Sequence, residues 1–73
     1  LDNPNCSAIV LNAANEIVVD NFLKNKIEFT DIFFIISEML NIYSPSKPNN
    51  ISDVIEIDKL TRIKTIEFIR RKL

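Results

Sequence analysis

The sequence predicts an all-α fold, an antiparallel helical bundle of about three helices. Three observations lead there. Apolar residues recur at three- and four-residue steps in three separate stretches. Short polar connections rich in Asn, Ser and Pro divide those stretches. Each stretch also opens near a Ser, Thr or Asn, residue types that satisfy the unpaired N–H groups of a first helical turn.

The opening Leu1 to Cys6 has turn chemistry, with Asp2, Asn3 and Asn5 around Pro4. Ser7 or Asn12 can cap the helix that follows, expected at about residues 8 to 24. Leu11, Ala14, Val18 and Phe22 lie along one face of it, and Lys24 and Lys26 place positive charge at its C-terminal end. Thr30 before Asp31 is the next start signal. Ile32, Ile36, Met39 and Tyr43 form the stripe of the second helix, and Phe33, Ile35 and Leu40 widen it beyond one face. Ser44 to Asn50 holds two prolines and polar turn formers, a loop inside a domain. Ser52 with Asp53 caps the third segment, and Asp58 can restart it after a one-turn prelude. Leu60, Ile63, Ile66, Ile69 and Leu73 run at helical spacing, Asp58 and Arg62 form an acid-first i,i+4 pair, and Arg70, Arg71 and Lys72 close the helix. The whole of residues 1–73 reads as one helical domain.

Composition excludes several chemistries within this segment. The 73 residues contain no His and no Gly, with one Cys and no Trp. Without His there is no Ser-His or Cys-His pair and no imidazole base. Without Gly there is no phosphate-cradling glycine loop. A single Cys neither staples the fold nor completes a thiolate zinc site. Nine basic and ten acidic residues leave a net charge of −1, so no bulk attraction to nucleic acid or anionic membrane is expected. No apolar run approaches the ~18 residues of a membrane span, and no signal-peptide pattern opens the chain. With Leu1 in place of a starting Met, the segment reads as a piece of a longer chain.

Charge is unevenly spread, at −4 over residues 1–46 and +3 over residues 47–73. A basic nucleic-acid arm is one reading. A solvated helix face complementing its dipole is the other, favoured because Asp53, Glu56, Asp58 and Glu67 interleave the bases. Glu16 with Asp20, and Asp31 with Glu38, are carboxylate pairs of the kind that hold metals on facing helices. That architecture also needs His, which is absent. Cys6 has no base near it in sequence to lower its pKa. The densest polar cluster is Asn12-Ala13-Ala14-Asn15-Glu16, read either as a ligand or interface contact or as a first turn that docks this helix on its neighbours.

That cluster also carries a resemblance. Asn12-Ala13-Ala14-Asn15-Glu16-Ile17, continuing through Phe22-Leu23 to Lys26-Ile27-Glu28-Phe29-Thr30-Asp31-Ile32, resembles the C-terminal domain of the 1-deoxy-D-xylulose 5-phosphate reductoisomerase family. The likeness extends to Ser52-Asp53-Val54-Ile55-Glu56-Ile57-Asp58 and Arg62, and so covers nearly all of residues 10 to 70. Residues 1–9 depart from the family, which usually has Gly and Thr before the Pro. The resemblance implies a homodimeric enzyme using NADPH and Mg or Mn, in which a four-helix C-terminal bundle braces the nucleotide-binding and catalytic domains. This chain looks like its last three helices. The family's active-site motifs match nothing here, so the resemblance assigns no catalytic, cofactor-binding or metal-binding residue to residues 1–73. The partners it implies are the upstream domains and a second subunit, with no nucleic acid and no membrane. A stand-alone helical interaction module is the alternative. Ile, Asn and Lys fill 28 positions, a bias that fits an A+T-rich genome. That is a malaria parasite, with the enzyme in a plastid-like organelle (the apicoplast), or a bacterium, with it in the cytoplasm. Finally, helix two is apolar on more faces than helices one and three can cover, so Phe33, Ile35 or Leu40 should meet residues outside the segment.

Overall fold

The computed structural model describes residues 6–43, 45 and 47–72, with backbone alone for Cys6 and Lys72. Three helices follow in order, α1 (Cys6–Leu23), α2 (Phe29–Ile42) and α3 (Ile51–Lys72), and the described residues contain no strand. The all-α bundle is as expected. The entry turn at residues 1–5 and the apolar position Leu73 lie outside the described residues, as does the side chain of Cys6.

The helix starts differ from expectation in each case, whereas α2 stops before Ser44 and α3 runs to Lys72 as expected. Helix α1 begins at Cys6, so Ser7 and Asn12 are both inside it and neither is its cap. It stops in a Schellman turn: Lys26 N–H donates to the Asn21 carbonyl at 2.9 Å and Asn25 N–H to the Phe22 carbonyl at 3.0 Å. Asn25 takes the left-handed φ of 61° that this turn needs, the conformation Asn tolerates best after Gly. Helix α2 is capped by Glu28, with Thr30 already in its first turn. Asp31 supplies the side-chain bond, its Oδ2 accepting from Glu28 N–H at 2.8 Å. Helix α3 is continuous, with no restart at Asp58, and Asn50 rather than Ser52 caps it. Asn50 Oδ1 accepts from Asp53 N–H at 2.9 Å, and the Asp53 carboxylate accepts from Asn49 N–H at 2.9 Å.

Helix α1 packs against both of the others, whereas α2 and α3 meet less extensively. Consecutive helices are antiparallel, so α1 and α3 run in the same direction. Ile9 lies by Val54 at one end of that pair, and Asp20 lies by Ile66 and Arg70 toward the other. Phe34 of α2 meets Phe68 of α3 at 6.0 Å between ring centroids, and Lys64 Nζ sits 5.1 Å from the Tyr43 ring.

The core is Val10, Ala14, Val18, Ile27, Ile35, Met39, Ile57 and Ile69. Ala13 is also fully buried, so α1 presents two adjacent small residues and lets its neighbours approach closely. The apolar faces are therefore shifted from the expected stripes. In α1 the buried residue of the first turns is Val10, while Leu11 is exposed. In α2 Ile35 is central and enclosed, while Phe33 and Leu40 are exposed as anticipated.

In α3 the buried line is Ile57, Thr61, Thr65 and Ile69, with Leu60 and Ile63 outside. Each threonine hydroxyl donates to the carbonyl four residues earlier, Thr61 to Ile57 and Thr65 to Thr61, both at 2.7 Å. With their polar atoms satisfied locally, both threonines bury completely at little cost.

Candidate functional site

The one charged constellation that joins two helices among the described residues centres on Arg62. Helical spacing puts Asp58 one turn before it, and the close α1–α3 approach brings Glu16 opposite. Arg62 Nε donates to Asp58 Oδ1 at 2.6 Å, and Arg62 Nη2 donates to Glu16 Oε1 at 2.9 Å. The i,i+4 pair was legible from spacing. Glu16 as second partner was not, because 46 residues separate it from Arg62.

These hydrogen bonds, first to Asp58 and then to Glu16, hold the Arg62 guanidinium above its ordinary pKa, partly offset by desolvation. A basic group shifted upward contributes its stability at every pH below its unfolded value and loses it only as pH rises through the folded one. The clasp is thus constant across the neutral range on the arginine side. Half-exposed side chains limit its strength to about 1 kcal/mol or less per pair.

Beside the clasp a shallow groove of about 520 Å³ runs along α1, lined by Asn15, Glu16, Ile17, Val19, Asp20, Leu23 and Arg62. Its charged residues have other tasks: Glu16 holds Arg62, and Asp20 pairs with Lys24 at 3.1 Å. Of the candidate carboxylate pairs, Glu16 and Asp20 line one groove, each already paired with a base. Asp31 is committed to the start of α2, and among the described residues no three His, Cys, Asp or Glu side chains cluster as a metal site. The Asn12 to Glu16 block sits in the second and third turns of α1, not the first. Its alanines face inward with 0% exposure, while Asn12, Asn15 and Glu16 face outward. The docking that this block performs comes from its alanines and from Glu16, not from its amides. No helix is long and apolar enough to cross a membrane among the described residues.

What these features define is a small all-α bundle tied across α1 and α3 by an arginine clasp. The family described as the DXP reductoisomerase C-terminal domain matches residues 1–64. Among curated relatives, 1-deoxy-D-xylulose 5-phosphate reductoisomerase of Proteus mirabilis (strain HI4320) is 51% identical over 63 residues, covering 86% of this chain and 16% of the relative. Its namesake in Blochmanniella pennsylvanica (strain BPEN) is 45% identical over 69 residues, 90% of this chain and 17% of the relative. The one from Wolbachia of Brugia malayi (strain TRS) is 40% identical over 72 residues, 97% and 18%. The chain belongs to the DXP reductoisomerase C-terminal domain family. It spans less than a fifth of the length of the relatives it matches.

Proposed function

We propose that this chain is the helical C-terminal part of an NADPH- and divalent-metal-dependent 1-deoxy-D-xylulose 5-phosphate reductoisomerase, and that it braces the domains carrying the active site. The family match over residues 1–64 carries the reading. The structure supports it in kind, since the charged groups that meet across helices tie the bundle together. In this reading the whole enzyme isomerises a ketose phosphate to an aldehyde and reduces that aldehyde with hydride from NADPH. The metal, Mg or Mn, polarises the substrate oxygens. The enzyme works as a homodimer on the non-mevalonate route to isoprenoids. Its location follows its source, plastid in a parasite and cytoplasm in a bacterium.

The complete protein that carries this segment should oxidise NADPH when given 1-deoxy-D-xylulose 5-phosphate and Mn or Mg, and should stop when the metal is chelated. A purified, folded protein without that turnover sinks the assignment. Calorimetric titration of residues 1–73 with NADPH should give no binding heat. A micromolar isotherm would move part of the active site into this segment and overturn the bracing role.

A further inference from the structure

We draw no further inference here: the strongest candidate, the cleft between the end of α1 and the last turns of α3 that Asn21, Lys26 and Arg70 line, carries nothing, because both bases lie exposed at the helix ends whose dipoles they complement and nothing in the structure shows what covers it.

Discussion

Thr61 and Thr65 sit at full burial with hydroxyls bonded only to the carbonyl one turn back. Those carbonyls keep the hydrogen bonds of the helix whether or not the hydroxyl is there. Thr61→Val, which preserves the shape and removes a polar atom, should therefore leave stability within about 1 kcal/mol, on the favourable side. Thr61→Ser, which removes a methyl and opens a void, should cost about 1 kcal/mol. Urea midpoints of the two variants check the order, and a costly valine would mean that the hydroxyl has a further partner. Asn15 makes the opposite case. As part of a docking turn it would hold a buried bond and its loss would cost about 1–3 kcal/mol. It faces solvent from mid-helix, so Asn15→Ala should shift stability by no more than about 0.5 kcal/mol in the same titration. The small residues between the amides do permit close approach, whereas within the bundle the amides face outward. Sequence ranks Asn as the polar contact and Ala as the spacer, but helix geometry reverses their parts by turning the alanines inward.

At the scale of the helices, three segments and their order were legible because apolar spacing, prolines and capping residues agree. The boundaries moved by a few residues for a common reason. Near the starts of α2 and α3 several polar residues stand within a few positions, Glu28, Thr30 and Asp31 at one and Asn49, Asn50, Ser52 and Asp53 at the other, and more than one of them can cap. Asn50 took the place expected for Ser52, and Glu28 with Asp31 that of Thr30. Asn50→Ala should cost about 1 kcal/mol, and Asn50→Ser should recover most of it. Thermal melting of both checks this, and an indifferent alanine would return the cap to another residue. The stripe of α3 was less legible. An apolar residue scores as core wherever it falls, so Leu60 and Ile63 looked inward while two threonines with self-satisfied hydroxyls looked outward. The Schellman turn after α1 had a signal, Asn25, in a chain without a single glycine to mark such a turn.

As a whole, the bundle has a radius of gyration of 12.3 Å and extents of 37 × 22 × 19 Å. A compact domain of this length is expected at about 11 Å, so the bundle is somewhat elongated. Its core is closed: Ile35 and Met39 are buried at 1% and 0% exposure. The sequence-based expectation of an incomplete core is thus corrected for Ile35 and retained for Phe33 and Leu40. The deficit lies on the outside of α2, not at the centre. Residues 1–73 alone should accordingly keep their helices but associate through that outer face, binding a hydrophobic dye in the process. Sedimentation should show concentration-dependent oligomers, and Phe33→Lys should return the chain to monomer with its helical circular dichroism intact. A wild-type monomer that binds no dye at high concentration would show that the face tolerates water.

The Arg62 clasp also dates the docking of α3 on the folding pathway. Helices α1 and α2 meet across a turn of a few residues, a local pairing that closes quickly. Glu16 and Arg62 must find each other across 46 residues, after most of the loop entropy has been spent. The clasp then belongs to the far side of the rate-limiting barrier. In the monomeric Phe33→Lys background, Arg62→Ala should leave refolding unchanged and quicken unfolding by about fivefold for each ~1 kcal/mol lost. Slowed refolding in stopped-flow traces would put the α1–α3 junction in the nucleus instead. If the clasp does form late, Arg62 sets how long the assembled bundle lasts rather than how fast it assembles.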